Sequence, residues 1–221
     1  METAIVSDTH GYLPEINPEF PTDLFIHCGD LCPVTNHNVE FQANFVNDKF
    51  IPWINSVPAK NKVFIAGNHD FVFDYYPDLI DWNSLDDSVK YLKDSFVTVD
   101  GLKVYGTPWV PIYGRWAFMR SEEELRILYG NIPLDTNILV THGPPFGILD
   151  ANPSGHNCGS KTLLDKVFQL KQLNLHCFGH IHQSRGMHQS ERNLWVDFVN
   201  AASVDEDYEL RKHYITSLML S

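Results

Sequence analysis

Short apolar runs recur along the chain, each three or four residues long and each followed by polar, turn-forming residues. Ala4-Ile5-Val6, Leu24-Phe25-Ile26, Val63-Phe64-Ile65-Ala66, Ile138-Leu139-Val140 and Leu175-His176-Cys177-Phe178 lack the strict alternation of a half-exposed strand. Runs of that length between turns predict strands covered on both faces, as in parallel sheets. A second period lies between them. Val39, Ala43, Val46, Phe50, Trp53 and Val57 recur at steps of three and four and predict an amphipathic helix over about 36–57, which Pro52 kinks or ends early. Ser121-Glu122-Glu123-Glu124 is a capping box for a second helix ending near Gly130. Ser160 caps a third, to about Leu173, with Leu163, Leu164, Val167, Leu170 and Leu173 facing inward.

Ser95–Val99 and Leu102–Gly106 flank Asp100-Gly101, a two-residue hairpin signal, so part of the sheet is antiparallel. Further strands are expected at 195–199 and 214–220, the last at a sheet edge, with a Pro-rich loop at 14–21 and loops with one helical turn at 71–94. Strand, helix, strand in succession predicts a right-handed parallel crossover and an α/β class.

A chain of 221 residues with 43% hydrophobic content suits one domain spanning 1–221. It has no apolar stretch of membrane-spanning length, and a motif at Asp8 leaves no room for a leader, which predicts a cytoplasmic protein. Cys28, Cys32, Cys158 and Cys177 form no CxxC pair and read as reduced thiols. The net charge of -12 makes long nucleic acid an unfavourable partner. It is compatible with a small phosphoester if some of the acids hold cations.

Those acids have a pattern. Asp8 and His10, Asp30, Asn68 and His69, His142, and His180 with His182 each follow one of the five apolar runs. Side chains delivered at the carboxyl ends of strands converge in the crevice where open α/β sheets bind ligands. The set offers nitrogen and oxygen donors and no thiolate, which suits Mn, Fe, Zn, Co or Ni rather than a structural zinc centre. Seven ligands exceed the needs of one ion. Two ions sharing the carboxylate of Asp30 as a bridge are expected, with manganese first among the candidates.

The order of these motifs resembles the calcineurin-like metallophosphoesterases, whose signature is DxH, GD, GNHD or GNHE, a lone His, then GHxH. They stand here as Asp8-Thr9-His10, Gly29-Asp30, Gly67-Asn68-His69-Asp70, His142 and Gly179-His180-Ile181-His182. The resemblance implies a four-layer α/β/β/α sandwich of two mixed β-sheets flanked by helices. It implies one ion held by Asp8, His10, Asp30 and His182 and a second by Asp30, Asn68, His142 and His180. His69 would bind no metal, and would meet the phosphate with Asn68 and protonate the leaving oxygen, while a hydroxide bridging the two ions attacks phosphorus. Gly29-Asp30-Leu31-Cys32-Pro33 lacks the second Asp of the GDxxDRG motif of phosphoprotein phosphatases, so orientation of His69 falls to Asp70 or to a backbone carbonyl.

The stretch Thr141-His142-Gly143-Pro144-Pro145 with the following Gly, Asp and Cys loop is similar to a smaller branch, the metallophosphoesterase-domain-containing proteins. That similarity points to a small phosphodiester such as a cyclic nucleotide. A nuclease, a nucleotide phosphomonoesterase, or a non-catalytic metal-binding scaffold are the alternatives. His156 and Arg115 are further candidates for contact with the phosphate, and Arg185 is balanced between that and a solvated loop. His27, His37, His176, His188 and His213 read as core or turn residues, and Trp109 and Trp116 as packing.

Overall fold

The computed structural model describes residues 1–16, 22–190 and 196–220. The strands are β1 (Glu2–Val6), β2 (Thr22–His27), β3 (Ala59–Phe64), β4 (Val89–Tyr91), β5 (Ser95–Val99), β6 (Leu102–Thr107), β7 (Val110–Pro111), β8 (Met119–Arg120), β9 (Ile138–Thr141), β10 (Leu175–Phe178), β11 (Gly186–Ser190), β12 (Val196–Asn200) and β13 (Thr216–Met219). Helices α1 (Val39–Phe45) and α2 (Ile51–Ser56) precede β3, α3 (Phe71–Tyr75) follows it, α4 (Glu122–Gly130) precedes β9 and α5 (Lys161–Val167) precedes β10.

Two large sheets result. The first has the order β13-β1-β2-β3-β4, parallel except for β13, and the second β11-β12-β10-β9-β6-β5, parallel at its centre with antiparallel strands at both edges. Both are mixed sheets, as expected. Between them lies a core of Ile5, Leu24, Ile26, Val63 and Ile65 from the first sheet against Val104, Ile138, Val140, Leu175 and Val199 from the second. The alternate residues, Val6, Phe25 and Phe64 on one side and Tyr105, Leu139, Phe178 and Phe198 on the other, cluster with helical residues such as Phe50, Ile54, Leu125, Tyr129, Leu163 and Val167. Both faces of each central strand are therefore covered, which is why these segments are continuously apolar.

The Asp100-Gly101 hairpin forms with both residues at positive φ, 48° and 84°, and the Ser121 capping box closes with Glu124. The long helix differs from expectation in detail. It runs through α1, a π-helical turn over Val46–Phe50, and α2, with Pro52 in the first turn of α2. The widened turn accommodates a residue with no N–H to donate, so the helix continues past Pro52 to Ser56. α5 stops at Val167, although Leu170 and Leu173 remain buried in the turns that follow. Strands β4 and β11 were not expected. The anticipated Pro-rich loop and the start of the 195–199 strand fall in part on 17–21 and 195, outside the described residues.

Candidate active site and metal centre

Each of the five central strands ends at the same end of the sandwich, and the chain turns sharply there. Asp8, His10, Asp30 and His180 have positive φ, 51°, 44°, 55° and 69°. The left-handed region costs non-glycine residues about 1–2 kcal/mol each, and such strain persists where surrounding contacts enforce it, commonly at functional sites. Hydrogen bonds from Asp8 N–H to Gly29 O (2.9 Å) and from His10 N–H to Asp30 O (3.0 Å) enforce it here. Two glycines make the close approach possible. A Cβ on Gly67 would lie 2.7 Å from the His142 ring and run into Asp30, and one on Gly179 would strike the Asp8 carboxylate and Ser7.

Two clusters of donor atoms result. Asp8, His10 and His182 form one, and Asp30, His142 and His180 the other, the donor atoms of each lying within 4.8 Å of one another. Asp30 lies between them, its Oδ2 3.3 Å from His142 Nε2 and 3.8 Å from His10 Nε2. Asn68 Oδ1 stands 2.9 Å from His142 Nε2. The structure thus gathers all seven residues expected as ligands.

The donor set suits a pair of cations. His142 donates from Nδ1 to Cys28 O (3.0 Å) and His182 from Nδ1 to Asp205 O (2.9 Å), so each presents Nε2 to its cluster. Such outer hydrogen bonds fix the tautomer of ligating imidazoles. His10 Nε2 and His182 Nε2 point at one another at 3.4 Å, a contact between two potential lone pairs that a shared cation would relieve.

Charge points the same way. Burial pushes the Asp30 carboxyl up, but the imidazoles of His142 and His69 outweigh it and hold the group well below the usual carboxylate range. Burial opposes ionisation of Asp8 as well, and the hydrogen bond and charge of His182 prevail, lowering it. Burial disfavours charge on His142, yet Asp30 raises it to about 9. Burial lowers His10 to about 4 and His180 to about 3. Two ionised carboxylates therefore sit under cover beside a protonated His142 and the neutral His10 and His180, and divalent ions would take the place of the proton that His142 holds.

His69 lies beside both clusters, its ring 5.0 Å from His10. Its N–H donates to Asp30 Oδ1 (2.7 Å), and its carbonyl accepts from Nε2 of the buried Gln42 (2.7 Å). Burial lowers its pKa. Asp70, expected beside it in a catalytic role, does not bond the His69 ring. Its carboxylate accepts from the N–H groups of Gly67 (2.7 Å), Cys32 (2.9 Å) and Leu31 (3.2 Å), tying the GNHD turn to the loop after Asp30. Burial and the neighbouring Asp30 charge push Asp70 up to about 7 against those three donors.

A cavity of about 270 Å3 opens over the clusters, lined by Asp30, Asn68, His69 and His180 together with Tyr113, Asn152, Glu206 and Tyr208 among others. His156 and Arg115 are exposed and do not line it. The Asp150 carboxylate gathers Gly147, Asn157 and Gly159 and folds the 150–159 loop so that Asn152 and Pro153 face the cavity instead. Arg185 is engaged with Ala202 O and Thr216 Oγ1. His27 bonds Thr9 and Gly29 beneath the site, and Trp109 packs on Phe118. Tyr113, Tyr208 and Gln42 carry no motif, and sequence reasoning passed over them.

Two mixed sheets between helices, with two candidate metal-ligand clusters at the strand ends, form the scaffold of a phosphoesterase. The chain belongs to the calcineurin-like phosphoesterase family, whose model matches residues 1–184. Human metallophosphoesterase domain-containing protein 1 is 34% identical over 215 residues, covering 87% of this chain and 64% of that protein. The chain thus spans a little under two thirds of the length of that relative. A UPF0046 protein of Caenorhabditis elegans is 32% identical over 229 residues, covering 95% of this chain and 76% of its own. A dimetal phosphatase from Danio rerio shares the fold with a TM-score of 0.57 at 12% identity, over 90% of this chain and 86% of that one.

Proposed function

We propose that this chain, acting as one domain over 1–221, hydrolyses a small phosphodiester such as a cyclic nucleotide, with two metal ions, manganese foremost, and His69 as general acid. The observation that carries the reading is the pairing of two donor clusters with one imidazole that lines the cavity and whose Nδ1 is engaged by His37. Asp8, His10, Asp30 and His182 would hold one ion, and Asp30, Asn68, His142 and His180 the other. When bound, such ions supply Lewis acidity at phosphorus and lower the pKa of a water molecule. His69 donates the Nε2 proton to the leaving oxygen, and the Asn68 amide, whose Nδ2 is buried without a partner, donates to a phosphoryl oxygen.

The cavity walls favour a diester. Among the described residues neither Lys nor Arg lines the cavity, and Glu206 does. A singly charged diester suits such walls better than a doubly charged monoester, which gains more from fixed cations. An adjoining cavity of about 440 Å3, lined by Pro111, Ile112, Tyr113, Cys158 and Ile181, leaves room for a second ester group.

The test is hydrolysis of bis-p-nitrophenyl phosphate against p-nitrophenyl phosphate by metal-stripped protein with manganese restored. A metal-dependent diester preference that Asp30→Ala abolishes is expected, and His69→Ala is expected to abolish hydrolysis of a diester with a more basic leaving group such as diphenyl phosphate. A monoester preference would replace diesterase with phosphatase, and undiminished rates in both variants would remove the reaction from this site.

A further inference from the structure

In the GDxxDRG enzymes an Asp orients the catalytic histidine, and the corresponding acid is absent from this chain. The structure shows a different neighbour. His37 Nε2 lies 3.3 Å from His69 Nδ1, although 32 residues separate the two. Resting on the reading above, we propose that His37 is the positioning residue of His69: its Nε2 accepts the Nδ1–H of His69, fixes the ring and its tautomer, and leaves Nε2 to carry the transferable proton.

Every other part of His69 is held. The backbone is clamped by Asp30 and Gln42. The ring lies against Trp116 with centroids 4.4 Å apart, and Trp116 is brought there by the hydrogen bond from Ala117 N–H to Asn68 O (3.1 Å). His37 itself is wedged edge-on against Trp116 (5.3 Å) and tilted against Phe71 (5.4 Å). It immediately precedes Asn38, whose side chain caps α1 by accepting from Glu40 and Phe41 N–H. The helix start thus sets the position of His37, and Gln42 one turn on secures the His69 carbonyl.

Proton balance selects the direction of the bond. A protonated His69 that gives its Nε2 proton to the leaving alkoxide becomes a neutral imidazole, and the alkoxide becomes an alcohol. The remaining proton must then be on Nδ1, so His37 Nε2 has to be the acceptor at that moment. The reverse arrangement, with His37 donating, would leave His69 no proton on either nitrogen after transfer.

Two variants separate positioning from packing. His37→Phe keeps an aromatic ring against Trp116 and Phe71 without an acceptor, and His37→Gln places an amide oxygen near the Nε2 position. Manganese-loaded proteins are compared on bis-p-nitrophenyl phosphate, whose leaving group departs without a proton, and on diphenyl phosphate, whose leaving group is more basic. Removing the support of a functional imidazole is expected to cost about 10–100-fold. The loss in His37→Phe is expected in kcat on diphenyl phosphate, with under threefold change on bis-p-nitrophenyl phosphate and in metal content, and His37→Gln is expected to restore most of it.

Equal losses on both substrates, or no rescue by Gln, would overturn the proposal. A second readout needs no turnover: nitrogen-15 NMR of His69 is expected to show the Nδ1–H tautomer in the parent protein and a tautomer mixture in His37→Phe. The same tautomer in both would also overturn it. Absence of turnover in the parent protein with this NMR difference present would fault the diesterase reading and leave the positioning intact.

Discussion

Asp30→Asn is expected to uncouple metal binding from folding. The Asp30 carboxylate lies 3.3 Å from His142 Nε2, is buried, and accepts from the His69 N–H at 2.7 Å. Its charge keeps His142 protonated up to about pH 9, against an ordinary value of 6.5, a preference worth about 3 kcal/mol at 1.36 kcal/mol per pH unit. An asparagine keeps the shape and the Oδ1 acceptor. Burial then leaves His142 neutral at pH 7.5, and its Nε2 can accept from the new amide. Exchanging a buried ion pair for a neutral hydrogen bond is commonly close to neutral in stability.

The melting temperature of chelator-treated Asp30→Asn is therefore expected within about 4 °C of the parent's, for a change of about 1 kcal/mol. Metal should separate the two proteins. Binding at 100 times Kd stabilises by about 2.7 kcal/mol per site, or roughly 5–10 °C per ion for a chain of this size. The parent is expected to show that rise with manganese and to retain two ions per chain after desalting. Asp30→Asn is expected to lose most of both, because its side chain stands between the two clusters. A variant that melts far below the parent without metal would show that the carboxylate holds the fold, and one that keeps two ions would refute its place between the sites.

His69→Ala is expected to lower kcat on diesters with basic leaving groups by about 10²–10⁴-fold, the usual contribution of a general acid, with metal content unchanged by elemental analysis. Gly179→Ala drives a methyl group into Asp8 and Ser7, so isothermal titration is expected to show weakened manganese binding. Manganese uptake must displace the proton that His142 holds up to about pH 9, so apparent affinity is expected to climb with pH through neutrality, with proton release detectable in weakly buffered solution. Burial depresses the fully covered His176 to about 3. A depressed histidine adds stability that is complete above pH 6.5 and is lost as pH falls toward 3, so the urea midpoint of His176→Phe is expected to fall less than the parent's between pH 7 and 4.5.

The meeting of the seven candidate ligands was legible because each follows an apolar run, and a buried strand that ends in Asp, His or Asn has few bland explanations. His37 was not. It belongs to no motif, and its meeting with His69 depends on how the loop before α1 returns over the GNHD turn. His156 and Arg115 lie off the cavity for the converse reason: residue type suggested phosphate contact, while Asp150 turns one loop so that Asn152 faces the cavity, and Arg115 is left exposed between Tyr113 and Trp116. Strand β4, with only Val89-Lys90-Tyr91, is too short to show a period, and its pairing with β3 comes from the sheet rather than from local preference. The capping box and the Asp-Gly hairpin were read correctly because their causes are local.

The left-handed turns at Asp8, His10, Asp30 and His180 are secured by main-chain and side-chain hydrogen bonds that run between strand ends. These bonds run within the chain itself. If the two clusters hold metal as proposed, uptake by such a cradle would be an encounter rather than a folding event: its rate would be set by diffusion and by loss of water from the ion, and would rise in proportion to metal concentration. The identity of the bound ion would then follow the supply of metal around the protein as much as the protein's own preference.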